Sequence, residues 1–241
     1  MCYRLAPRVR AGEVIGEAWG HYKAHWQHLM PFALVVYLLL GLVSLVLTLA
    51  LGWFGAILGA FVGIIGLFWL QGALVEAVAD IRDGRADLTM GQTFGRAQQH
   101  IGPLAIAGIL AGLAIAVGLV LLIVPGLYLL TIWSVLIPVI VLERRGVMEA
   151  FGRSRELVSG FGWSAFGVIV LCFLILLGVS LVVSIATIWL GGAFGEYVRS
   201  VISNTIGIPF VALALTNMYF RLRALKEAPA APTPAPMPPP P

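Results

Sequence analysis

The chain has 241 residues, of which 60% are hydrophobic and only 11% charged, with a formal net charge of +4 and a mean hydropathy of +0.99. Soluble domains carry about 25% charged residues, so a water-soluble globular fold is excluded in favour of a bilayer protein. The small positive surplus sits in short segments beside apolar runs. Anionic lipid head groups account for it, and nucleic acid is not needed as a partner.

Residues 1–10 form a short leading segment with Arg4, Arg8 and Arg10. The first thirty residues have no apolar h-region, so no cleavable leader is expected. Cys2 and Cys172 are too differently placed to pair, and no lipobox precedes Cys2. From Ala11 onward, Ala11, Ile15, Ala18 and Tyr22 recur at one face of an α-helix. On another side lie Glu17, His21, His25 and His28, whose spacing matches zinc ligands. A polar face wetted among head groups explains the same residues, and no metal site is assigned.

A bilayer core about 30 Å thick needs about 20 apolar residues per helix. Six such runs are predicted, at 32–51, 54–78, 103–124, 127–142, 163–190 and 199–220. Runs such as Val35–Val46 do not alternate as barrel strands would, so the spans are helical. The fourth is short and borrows from Ile123–Pro125 and Glu143; the fifth is long and should tilt or project. Gly55, Gly59 and Gly63 in the second span, and Gly108 and Gly112 in the third, predict close helix packing within the chain. Pro125-Gly126 is expected to turn the outer end of spans three and four, and Pro138 and Pro209 to kink their helices.

Two further amphipathic helices precede spans three and five. Their stripes are Met90, Phe94, Ala97, Ile101 and Val147, Phe151, Ser154, Val158. Ile15-Gly16-Glu17-Ala18, Phe94-Gly95-Arg96-Ala97 and Phe151-Gly152-Arg153-Ser154 align as apolar, Gly, charged, small, which predicts a threefold repeat. Asp83-Gly84 followed by Thr89-Met90-Gly91-Gln92 reads as a turn and capping box. Glu149 and Arg153 read as an i, i+4 ion pair. Glu76, Asp80, Asp83 and Asp87 form an acidic cluster of the kind that binds divalent cations, but the interleaved Arg82 and Arg85 and the helix-breaking Gly84 favour capping and ion pairing.

Fourteen of the 15 Lys and Arg residues lie on one predicted side. They are Arg4, Arg8, Arg10 and Lys23; Arg82, Arg85 and Arg96; Arg144, Arg145, Arg153 and Arg155; and Arg221, Arg223 and Lys226. Only Arg199 lies opposite. The positive-inside rule then puts both termini in the cytoplasm. Trp53, Tyr128, Trp189 and Tyr197 would mark the outer interface, and Trp26, Trp163 and Tyr219 the inner one. The expected fold is all-α: a polytopic bundle of six transmembrane helices in three hairpins, each preceded by an amphipathic interfacial helix. Residues 11–223 form the membrane domain, and 224–241 a disordered Pro/Ala-rich cytoplasmic tail.

Three phrases carry a family likeness: Leu70-Gln71-Gly72-Ala73 running into Asp80-Ile81-Arg82-Asp83-Gly84-Arg85; Pro125-Gly126-Leu127-Tyr128 with Trp133, Pro138 and Glu143; and Ala150–Val158 followed by Trp163. Over about residues 10–223 the chain resembles a bacterial family related to the membrane domain of glycerophosphoryl diester phosphodiesterases. The resemblance implies the bacterial cytoplasmic (inner) membrane. Some members of that family add a soluble phosphodiesterase barrel, for which this chain has no room, so no catalytic residue is carried over.

No phosphate-binding glycine loop, metalloprotease helix or nucleophile elbow occurs, so a non-enzymatic protein without cofactor is expected. It would organise anionic lipid, through Arg144, Arg145, Arg153 and Arg155, or a membrane partner. The alternative is a small-solute transporter or channel with Gln71, Asn204 and Asn217 facing a path. A third reading is a membrane enzyme of lipid metabolism.

Overall fold

The computed structural model describes residues 10–82 and 90–227. Cys2, Arg4, Arg8, the 83–89 segment with its turn, Arg85, Asp87 and Thr89, and the tail from Ala228 lie outside the described residues, as do the side chains of His28, Met90 and Phe94. All regular structure among the described residues is helical. In chain order come α1 (Ala11–Leu51), α2 (Trp53–Arg82), α3 (Met90–Gln98), α4 (Ile101–Leu121), α5 (Ile123–Ile132), α6 (Leu136–Glu143), α7 (Val147–Val158), α8 (Gly162–Ala186) and α9 (Gly192–Glu227). Six segments are long and apolar enough to cross a membrane: Leu29–Leu51, Trp53–Arg82, Ile101–Leu121, Ile123–Glu143, Gly162–Ala186 and Phe194–Glu227.

The first amphipathic segment and the first span are one helix, kinked at His25 (φ −124°, ψ 16°). Its early turns run antiparallel to the late turns of α9. Tyr22 Oη donates to the Ile206 carbonyl at 3.0 Å, while Glu13 and Glu17 meet Arg221 further along. At 1.5 Å per residue, the 36 residues of α9 reach about 54 Å, well beyond a hydrocarbon core of about 30 Å. The excess length gives α1 a surface to pack on. It also carries helix to Glu227, past the expected end of the membrane domain at residue 223.

The stretches around the three aligned glycines bury matching positions. Two residues before and after the aligned glycines stand Val14 and Ala18, Thr93 and Ala97, and Ala150 and Ser154, all fully buried. The glycines themselves, Gly16, Gly95 and Gly152, face open space. Tight packing therefore does not explain them. Mid-helix glycine costs about 0.5–1 kcal/mol relative to alanine, so Gly152→Ala should raise the melting temperature in detergent; a fall would show that something closely approaches this face.

The fourth span is broken. Residues 133–135 form a turn between α5 and α6. Pro138 explains the break, because it offers no N–H to the Ser134 carbonyl and its ring crowds that oxygen. Pro209, by contrast, is absorbed within the continuous α9. The break leaves carbonyls without helical partners, and Ser154 of α7 repairs one of them, its Oγ donating to the Ile132 carbonyl at 2.8 Å. This accounts for a hydroxyl on the buried stripe of α7. Ser154→Ala should cost about 1–3 kcal/mol through the orphaned carbonyl, read as a lower unfolding midpoint.

The reversal between α4 and α5 is at Leu122, which is extended (φ −155°, ψ 128°). Pro125 and Gly126 instead sit in the first turn of α5, where a missing N–H costs nothing. Gly126 is needed for close approach, since a Cβ there would lie 2.6 Å from the Leu119 backbone nitrogen.

Packing is concentrated at the Arg-rich end. Leu70, Leu74, Ile140, Leu157, Leu213, Met218 and Leu222 are at most 1% exposed. The opposite helix halves are bare: Leu49 is 78% exposed, Val120 86% and Trp189 85%. So much exposed apolar surface is stable only against lipid or another apolar partner.

Candidate functional site

Charged side chains gather at the packed end in two networks. The first centres on Glu143, the last residue of α6, whose side chain is only 9% exposed. It accepts from Arg153 Nε of α7 at 3.1 Å, from Arg145 Nε at 2.7 Å and from Tyr219 Oη of α9 at 3.1 Å. Arg153, 11% exposed, also reaches Glu156 at 3.2 Å and Glu227. Arg223 closes the ring, donating to Glu227 at 2.8 Å and to Tyr219 Oη at 3.4 Å. Burial works against the charge of Arg153, but the hydrogen bonds it donates to Glu143 and Glu156 and their Coulombic attraction outweigh it, raising its pKa.

Two expectations are corrected here. Arg153 turns to Glu143 and not to Glu149. Glu143, 9% exposed, accepts from Arg153 Nε at 3.1 Å, whereas Glu149 is exposed to solvent. Tyr219 is fully buried and bonded to Glu143, so it does not stand in an interfacial aromatic belt. Trp26 and Trp163 are exposed, at 48% and 89%.

The second network joins α1 to α9. Arg221 donates to Glu17 at 2.6 and 3.1 Å and to Glu13 at 3.1 Å. The Arg221 hydrogen bond is the main cause holding the Glu17 carboxyl below its ordinary pKa, against a smaller opposing effect of burial. A depressed carboxylate pKa stabilises the fold above its unfolded value and ceases to do so as pH falls through the folded one. The attachment of α1 to α9 should therefore weaken below about pH 4. Glu17→Gln should flatten the fall of melting temperature over that window; an unchanged slope would refute the coupling. His25 Nδ1 lies 3.2 Å from the His21 carbonyl at the kink. No group of three candidate metal ligands converges among the described residues.

Three cavities open around these elements. A polar cleft of about 430 Å³ is bounded by Glu143, Arg144, Arg145, Glu149, Arg153, Arg223 and Glu227. An apolar one of about 340 Å³ lies between α2, α4 and α6, with Phe68, Leu104 and Ile140 on its walls. The third, about 690 Å³, runs between α5 and the junction of α7 with α8.

The four predicted head-group arginines separate in this geometry. Arg145 and Arg153 are bound to Glu143, whereas Arg144 and Arg155 make no ion pair among the described residues. Arg144 occupies a left-handed turn (φ 52°) at the mouth of the polar cleft. Arg155 lies two residues beyond Arg153 and lines the third cavity. Gln71, Asn204 and Asn217 do not share any of these cavities. Asn204 bonds Ser200 at 3.1 Å, and buried Asn217 accepts from Arg82 at 3.4 Å. Thirteen positions apart on α9, the two asparagines stand about 20 Å from each other along the axis.

Comparison of the chain with known protein families, curated proteins and solved structures finds no match.

Proposed function

We propose that this chain is a non-enzymatic multi-pass protein of a bacterial cytoplasmic membrane that organises anionic lipid, with both termini in the cytoplasm. Its plan is three units, each an interfacial amphipathic helix followed by a transmembrane hairpin. The carrying observation is the convergence of arginines on the packed end, around an open polar cleft, with bare apolar helix halves opposite. Positive charge beside apolar helices attracts acidic head groups, by about 1 kcal/mol per residue near the surface. The motif likeness to the membrane domain of glycerophosphoryl diester phosphodiesterases belongs to the same proposal and supplies no catalytic residue. A transport path is the weaker reading, because Gln71, Asn204 and Asn217 share none of the cavities.

Protein purified from native membrane should retain anionic phospholipid in excess of its share of the bilayer. That excess should shrink at high salt. Retention in simple proportion to membrane composition would reject the function. Reporters fused at residues 84 and 146 should both face the cytoplasm, and an external location of either would reject the orientation.

A further inference from the structure

The third cavity differs in kind from the other two. One wall is α5 from Val124 to Ile132, a length of about 12 Å. The other is the end of α7 and the first turn of α8. Ser154, the neighbour of Arg155, bonds the Ile132 carbonyl and fixes α7 at that end of α5. Arg155, Ser159 and Ser164 supply cationic and hydroxylic lining, while Leu127 and Phe166 supply apolar wall. The first-turn amides of α8 have no side-chain cap, and such N–H groups favour anions. Trp163 stands at the rim, 89% exposed, where indole is most stable at a lipid–water boundary. The volume, about 690 Å³, is that of a ligand site, for which about 300–1,000 Å³ is usual.

Charge selects the occupant. Arg153 is enclosed by carboxylates, but Arg155 has no carboxylate partner among the described residues. A free phosphate would use only the polar lining and leave the apolar wall wet. We propose that this groove holds one anionic phospholipid, its phosphate at Arg155 and an acyl chain along α5. The assignment rests on the lipid-organising function above and names its site.

The test uses the full chain in nanodiscs of phosphatidylglycerol and phosphatidylcholine, with a trace of phosphatidylglycerol bearing a diazirine near one acyl terminus. After irradiation, adducts should concentrate in residues 123–132. Arg155→Gln, which removes charge but keeps bulk, should lower labelling about tenfold, the loss expected for one charged hydrogen bond. Leu127→Trp, which fills the groove, should lower it comparably, and Arg199→Gln, on the opposite predicted side, should leave it unchanged. Undiminished labelling in both groove variants would overturn the proposal, as would displacement of the probe by equimolar inorganic phosphate. If either variant does not fold, the wild-type adduct map decides, and adducts confined to other segments overturn the site. Enrichment of anionic lipid without groove labelling rejects the groove and leaves the broader function standing. Absence of any anionic preference rejects both.

Discussion

Replacing Glu143 by alanine should cost about 3 kcal/mol, the lower end of the range for breaking a buried ion pair. The change removes the carboxylate from Arg153, which is 11% exposed, and takes the acceptor from the O–H of fully buried Tyr219, which still accepts from Arg223. Arg153 keeps Glu156 and Glu227, which is why the upper end is not expected. Glu143→Gln retains an acceptor of the same shape and should cost distinctly less. Combining Glu143→Ala with Arg153→Met should be milder than the sum of the two, because the second change removes the charge that the first leaves unpaired. Denaturant titration of the four variants in one detergent measures the cycle. A loss below about 0.5 kcal/mol for Glu143→Ala, the scale of ordinary surface substitutions, would show that the network is ornamental.

Gly55→Ala should be comparably damaging, for steric reasons. A Cβ at Gly55 would lie 1.8 Å from the Leu47 carbonyl oxygen, and backbone cannot step aside as a side chain can. At Gly59 the nearest atom is Ser44 Oγ at 2.6 Å, which can rotate away and leave Ser44 Cα as the nearest at 3.1 Å. Overpacking typically costs about 1–3 kcal/mol; Gly55→Ala belongs at the top of that range and Gly59→Ala near the bottom. Gly63 has nothing within 4 Å, so Gly63→Ala should be neutral or slightly stabilising. Equal melting temperatures for all three would contradict the packing of α1 on α2.

Gly55, Gly59 and Gly108 were legible in the sequence because four-residue spacing of small side chains has few other uses in lipid, but Gly63 and Gly112, on the same spacing, meet nothing within 4 Å among the described residues. The spans were legible too, because they depend only on apolar length, whereas Val14, Thr93 and Ala150, fully buried beside the three aligned glycines, lie off the stripes expected from the sequence. The Glu143 network was not. Its members come from α6, α7 and α9, and no local pattern distinguishes a dry carboxylate at a span's end from a wet one. Tyr219 was misread for the same reason: an aromatic near a helix end looks like a belt residue until its neighbours are known. The break at 133–135 left a faint signal in Pro138, but Pro209 shows that proline alone does not decide. Of the arginines, only geometry separates Arg153, enclosed by carboxylates, from Arg155, which makes no ion pair among the described residues.

The interrupted fourth span also constrains how the protein is made. Its two pieces have ten and eight residues, about 15 and 12 Å, and neither traverses a bilayer unaided. The hydroxyl that caps the exposed Ile132 carbonyl belongs to residue 154, which leaves the ribosome after the whole span has been synthesised. A nascent chain arrested just past Glu143 should therefore hold this arm loosely in the membrane, accessible to modifying reagents, until α7 emerges and locks it.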